Sequence, residues 1–266
     1  MKIVVFDLDE TLGYFTEFGI FWDSLVKYRK SIGRPLLTQN DFNEILDLYP
    51  EFLRPNIINV LNYLKAKKKS LCCNKMMLYT NNNGPREWAQ NIIKYFEKKV
   101  NNYKLFDQII AAFKINGKQV EICRTTYDKT HNDFIKCTKL PSNAEICFLD
   151  DTFYPGMANE FIYYINVKPY YYDLEFSEMI KRFLNSNISN KLVDIDNFQE
   201  KITNILDSYK YDYVYKEPKE YELDEIIGKQ IVSHLQTFFN DKIKRNKTNR
   251  KRNTSQKNKT QKRAIY

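Results

Sequence analysis

Cysteine is scarce and odd in number. Cys72, Cys73, Cys123, Cys137 and Cys147 include no Cys-x-x-Cys spacing. That pattern predicts neither a disulfide framework nor a thiolate zinc site, and it places the chain in a reducing intracellular compartment, cytoplasmic or nuclear. No apolar run approaches the roughly 18–20 residues of a membrane span, so no membrane partner is expected. Met1 leads straight into an apolar segment, which leaves no space for a signal peptide as an expectation. Histidine is rarer still. His131 reads as a polar helix-start residue and His234 as a structural one on a later helix. No internal repeat is visible.

Charge is unevenly spread. The net charge is +9, yet residues 241–266 carry eleven Lys or Arg against one acidic residue, leaving 31 basic and 32 acidic residues elsewhere. Basicity is therefore a property of the tail. With almost no apolar residues, that tail is expected to be disordered. It can serve nucleic-acid binding, nuclear import or plain solubility. No aromatics alternate with its basic residues before Tyr266, so any nucleic-acid contact is expected to be with the phosphate backbone rather than through base stacking.

What is present is a set of short apolar runs that end in polar chemistry. With 43% hydrophobic residues, 266 residues suffice for one α/β domain plus additions. Ile3-Val4-Val5-Phe6 reads as a buried parallel strand and runs into Asp7 and Asp9. Residues i and i+2 of an extended chain point the same way, so both acids face one crevice at the strand end, where open α/β sheets bind ligands. Two like charges so close repel, and a bound cation is the usual remedy. Met76-Met77-Leu78-Tyr79-Thr80-Asn81 repeats the pattern with a hydroxyl. Glu145-Ile146-Cys147-Phe148-Leu149-Asp150-Asp151 repeats it with two more acids. Phe106–Ala112 and Phe161–Val167 read as further strands, and Phe113–Ile122 as a hairpin around Asn116-Gly117.

Asp7-Leu8-Asp9-Glu10-Thr11, together with the later strand ends at Thr80 and at Asp150-Asp151, resembles the motifs of the haloacid dehalogenase superfamily. The likeness spans residues 1–170. It implies a Rossmann-like parallel five-stranded sheet between helices. It also implies a magnesium-dependent phosphatase in which Asp7 is the nucleophile and Asp9 the general acid/base. Thr80 and a lysine would hold the phosphoryl group, with Thr11 and Asn81 binding substrate. The metal would be held by Asp7, the backbone carbonyl of Asp9, Asp150 and Asp151. A carboxylate is ionised at neutral pH and needs no activating base, so the nucleophile suits its work. The superfamily lysine stays open between Lys129, 21 residues before Asp150 and next to the capping sequence Thr130-His131-Asn132-Asp133, and Lys136 in Phe134-Ile135-Lys136-Cys137. That second word, with Leu53-Arg54-Pro55, is similar to the carboxy-terminal-domain (NLI-interacting-factor-like) phosphatases. This points to phosphoserine or phosphothreonine in protein as substrate. A nucleic-acid 3′-end phosphatase is the alternative that the tail suggests, and a non-catalytic nucleic-acid-binding protein on the same scaffold is a third.

Between strand and motif, residues 13–52 read as a small helical cap or flap. Its helices carry Phe18, Ile20, Phe21, Trp22, Leu25 and Tyr28, and then Gln39 to Leu48. Bulky Trp22 and Phe21 can contact substrate but are predicted chiefly to pack. Residues 171–240 read as a helical extension with apolar stripes at Phe176/Met179/Ile180/Phe183, Phe198/Ile202/Ile205/Leu206 and Leu223/Ile226/Ile227/Ile231/Leu235. A composition rich in Asn, Lys, Ile and Tyr resembles proteins of large DNA viruses.

Overall fold

The computed structural model describes residues 1–240 and the pair Arg263–Ala264; the rest of the predicted basic tail lies outside the described residues. The chain opens with β1 (Lys2–Phe6), followed by α1 (Thr16–Ser31), α2 (Gln39–Leu46) and α3 (Ile57–Lys69). Next come β2 (Lys75–Tyr79), α4 (Arg86–Lys99), β3 (Gln108–Ile110) and the hairpin β4 (Lys114–Ile115) and β5 (Lys118–Gln119). After α5 (His131–Thr138) come β6 (Glu145–Asp150) and β7 (Ile162–Asn166). Four helices follow: α6 (Phe176–Leu184), α7 (Ser189–Leu192), α8 (Ile195–Asp207) and α9 (Pro218–Asn240). None of the described helices is long and apolar enough to cross a membrane.

The predicted five-stranded parallel sheet is present, in the order β3-β2-β1-β6-β7, with a two-residue β8 (Arg263–Ala264) pairing beyond β7. The chain leaves central β1 toward β2 on one side and later returns to β6 on the other. The crevice between these excursions opens at the carboxyl ends of the strands. Phe6 pairs with Leu149, so the residues that follow, Asp7 and Asp150, emerge side by side. The third strand is shorter than predicted. At its start Asp107 still meets β2, its side chain accepting the Met76 N–H at 2.8 Å, whereas after its end Ala111 donates to the Glu121 side chain at 3.3 Å. The second helix stops at Leu46, and Asp47 turns out to meet the Tyr95 hydroxyl and Lys99.

Alternation along the strands gives the two faces very different covers. Val4, Phe6, Met76, Leu78, Cys147 and Leu149 face a large core with residues from α1–α4, α6, α8 and α9. Ile3, Val5, Met77, Tyr79, Ile146 and Phe148 face a much smaller one, whose only helical cover among the described residues is α5 and the turn at Pro155–Met157. The predicted cap is built into the larger core: Phe18, Phe21, Leu25 and Tyr28 are wholly buried. The predicted extension joins it there, with Phe183 edge-on to Phe21 at 5.8 Å and Phe198 edge-on to Tyr28 at 5.0 Å.

One expectation is overturned. Cys123 and Cys137 form a disulfide, 14 residues apart. Their spacing carries no signal, because they meet only when the segment after β5 folds back against α5.

The α1 helix also buries a charge-bearing group. Glu17 is fully enclosed; one oxygen accepts the Leu174 N–H at 3.3 Å and the other has no partner among the described residues. Burial pushes its pKa up to about 8, against a small opposing pull from that N–H. The folded chain therefore holds a proton that the unfolded chain releases near pH 4.5. Its stabilising contribution is complete below that value and is lost as pH climbs toward 8. Between pH 5 and 8 the wild type is expected to lose on the order of 2 kcal/mol more than Glu17→Gln, read from urea midpoints. Parallel pH profiles for the two proteins would contradict this.

Candidate active site

At the crevice, strand alternation decides which side chains meet. Asp7 continues the Ile3/Val5 side of β1, and Asp150 continues the Ile146/Phe148 side of β6. Both carboxylates therefore turn toward the thinly covered face. Lys129 reaches them from the start of α5, capped by Thr130, whose hydroxyl accepts the Asp133 N–H. The Lys129 ammonium bonds Asp7 Oδ1 and lies 2.7 Å from Asp150 Oδ2. All three side chains are buried. Asp150 Oδ1 accepts the Thr152 N–H at 2.9 Å.

Asp151 completes an acidic group. One carboxylate oxygen each from Asp7, Asp150 and Asp151 lies within 4.8 Å of the others, the spacing of ligands that share one ion. The Asp9 side chain does not join this group. Thr11 supports it from below: its hydroxyl donates to Asp151 at 2.9 Å and accepts the Asp151 N–H at 3.1 Å. That hydroxyl is occupied within the protein.

Electrostatics follow from the count of charges. Burial pushes Asp7 up despite Lys129, and pushes Asp150 to about 8. Lys129 is pulled down by burial, but Asp7 and Asp150 more than offset that, and its pKa rises. Asp9 rises to about 7, first through burial and then through the charge of Asp7. One ammonium does not balance this many carboxylates. Three converging carboxylates are hard oxygen donors of the kind that suits magnesium.

The second half of the crevice comes from β2. Thr80 is buried, and its N–H donates to Ile110 O at 3.0 Å, so its position is fixed by the ladder. Its hydroxyl accepts the Asn82 N–H at 2.9 Å. Asn81 donates to the Tyr154 hydroxyl at 3.0 Å, and Asn82 donates to Asp9 Oδ2 at 2.8 Å. Together Asp7, Asp9, Thr80, Asn81, Lys129 and Asp150 line a cavity of about 300 Å³, with Asn82, Asp151 and Tyr154 also on its wall. Of the two candidate lysines, Lys129 lines this cavity; Lys136 sits exposed on α5.

Four further side chains escape sequence reasoning. Besides Asn82 and Tyr154, two buried arginines hold the loops that carry the acids and Thr80. Arg54 donates from Nε to Thr11 O at 2.7 Å and from Nη2 to Lys168 O at 2.8 Å, and it also reaches Glu10 O. Glu10 has φ of 58°, a left-handed conformation that costs about 1–2 kcal/mol in a residue with a Cβ. The arginine thus braces the bend just after Asp9. Gly13 ends the same bend; a Cβ there would lie 2.3 Å from Phe52 O. Arg124 donates to Thr80 O at 3.2 Å, Ala111 O at 2.9 Å and Tyr127 O at 2.8 Å, joining the Thr80 loop to the segment before Lys129. The only sequence signal for either was the Leu53-Arg54-Pro55 word.

No family model and no curated protein matches the chain. Among solved structures it is similar to one described as a beta-phosphoglucomutase from Thermotoga maritima, at 14% identity over 67% of this chain and 91% of that one, with a TM-score of 0.32. A likeness of that size carries no argument about the site.

Proposed function

We propose that the chain is a magnesium-dependent phosphatase of haloacid dehalogenase type, hydrolysing phosphate monoesters through a phosphoaspartyl intermediate on Asp7. The observation that carries this reading is the convergence of Asp7, Asp150 and Asp151 around Lys129 at the end of the central strands. Asp7 has one oxygen held by Lys129, and its other attacks phosphorus. The phosphorus–oxygen bond to the alcohol breaks, and the departing oxygen takes the proton held by Asp9. Thr80 and the neighbouring amides donate to the phosphoryl oxygens as charge builds on them. In the second half Asp9 takes a proton from water, whose oxygen attacks phosphorus and frees the Asp7 carboxylate. Asp7, Asp150, Asp151 and the Asp9 carbonyl would hold magnesium. Bound there, it would offset the repulsion between a phosphate dianion and the carboxylates.

Two results would test the roles separately. Chelation should abolish phosphate release from an aryl phosphate, and added magnesium should restore it; equal rates in excess chelator would refute the metal. Asp9→Asn should slow an alkyl phosphate by about 10²–10⁴-fold and 4-nitrophenyl phosphate far less, because a good leaving group needs no proton. Equal losses would remove Asp9 from the acid role.

The identity of the alcohol stands apart from the chemistry. Phosphoserine or phosphothreonine in protein rests on the resemblance at Leu53-Arg54-Pro55 and Lys136. A nucleic-acid end rests on the tail, of which all but Arg263–Ala264 lies outside the described residues.

A further inference from the structure

Next to the phosphate cavity lies a second and larger cleft, of about 520 Å³, and Asp9 and Asn82 line both. If Asp9 protonates the departing oxygen, as proposed above, the alcohol leaves on Asp9's side, into this cleft. One wall is Phe15 and the face of α1 that carries Gly19 and Trp22; the other is the start of α4 with Trp88. Both tryptophans of the chain are therefore here. Each is half-buried, packed on one side against Phe42 at 5.0 and 5.7 Å between ring centroids. Gly19 lets α1 and the Trp88 ring approach closely, since even a Cβ there would already touch that ring at 3.4 Å.

Charge narrows the occupant further. Among the described residues no lysine or arginine lines the cleft, whereas Asp23 and Glu87 stand on its rim with Asp9. The nearby Lys27 is bound by Asp23 at 2.9 Å and donates to the Tyr209 hydroxyl at 2.7 Å. A polyanionic strand would meet acids here rather than cations. A bare seryl or glyceryl group would leave the indoles without a partner.

We infer that the cleft takes the alcohol part of the substrate, and that this alcohol carries a flat, uncharged aromatic ring. The inference rests on the phosphatase reading for its orientation and on the cleft's walls for its chemistry. A ring beside indoles gains from stacking or edge contact. Two sources share this chemistry, a nucleoside monophosphate and a tyrosyl phosphate, and matched pairs separate them. Adenosine 5′-monophosphate is compared with ribose 5-phosphate, which has the same primary-alcohol leaving group, and phosphotyrosine is compared with phosphoserine. The ring-bearing member of at least one pair should show a KM lower by about tenfold or more. The pair that discriminates names the source; equal KM values in both would overturn the inference.

Binding can be read without turnover. In Asp7→Asn, titration with adenosine 5′-monophosphate or phosphotyrosine should change the tryptophan emission, because both indoles border the cleft. Ribose 5-phosphate and phosphoserine should not change it. Gly19→Leu, which pushes against the Trp88 ring and so disturbs the cleft wall, should raise the KM of the favoured ester about tenfold and leave methyl phosphate turnover unchanged. Gly19→Ala should keep both. Selective emission changes in a chain that hydrolyses nothing would refute the phosphatase and keep the cleft. Turnover with no selectivity and silent tryptophans would do the reverse.

Discussion

Asp7→Asn is expected to lower turnover of an aryl phosphate by about 10⁴-fold or more while the protein stays folded. On the proposed mechanism the loss is large because the substitution removes the atom that would form the covalent bond, so nothing of the first step would remain. The fold should survive because the amide is nearly isosteric and can still accept a bond from Lys129 through its oxygen. Circular dichroism and a urea midpoint near that of the wild type would establish this. Rapid-quench labelling with a ³²P-phosphorylated ester should show acid-stable label on the wild-type protein and none on the variant. Turnover within a few-fold of wild type would remove Asp7 from the nucleophile's place, whatever the rest of the site does.

Lys129→Met is expected to cost stability as well as rate. The buried ammonium contacts two carboxylates, and its removal leaves them facing each other and Asp151 without their cation. Removing one partner of a buried ion pair commonly costs about 3–5 kcal/mol, and that is the loss expected at pH 8 in the presence of a chelator. The sign of the recovery is informative. Burial already raises Asp7 and Asp150 above the usual carboxylate range, so lowering the pH protonates them and should return part of the stability. Millimolar magnesium should return part of it by another route, through binding to the folded state alone. The measurement is a set of thermal midpoints with and without magnesium at pH 5.5 and 8. If neither protons nor magnesium raise the variant's midpoint, the three acids do not form a shared cation site.

Much of this site was legible because strand alternation and the parallel register need only local sequence. Asp7, Thr80 and Asp150 each follow an apolar run by one residue, so once the runs are strands the three converge without further information. The choice between Lys129 and Lys136 was not legible from composition, in a chain with so many lysines. The Thr130 cap settles where α5 begins, and so leaves Lys129 at the strand ends and Lys136 on an outer turn. Arg54 and Arg124 were beyond reach for a different reason. They bond backbone carbonyls from distant segments, and a carbonyl leaves no trace in the sequence. The same holds for the Cys123–Cys137 bond, which depends on how a loop returns. Trp22 was visible as bulk, but only its half-burial beside Trp88 along one cleft distinguishes a wall from a filling.

The unequal cover of the sheet has one more consequence. Nearly all the packing that holds the strands together lies on one side, and the element that seals the other side is also the one that supplies the cation. Fraying of that thin layer would leave most of the apolar interior intact while withdrawing Lys129 from the acids. Competence at the crevice and integrity of the main body are thus anchored in separate halves of the molecule, and the weaker half is the one that carries the lysine.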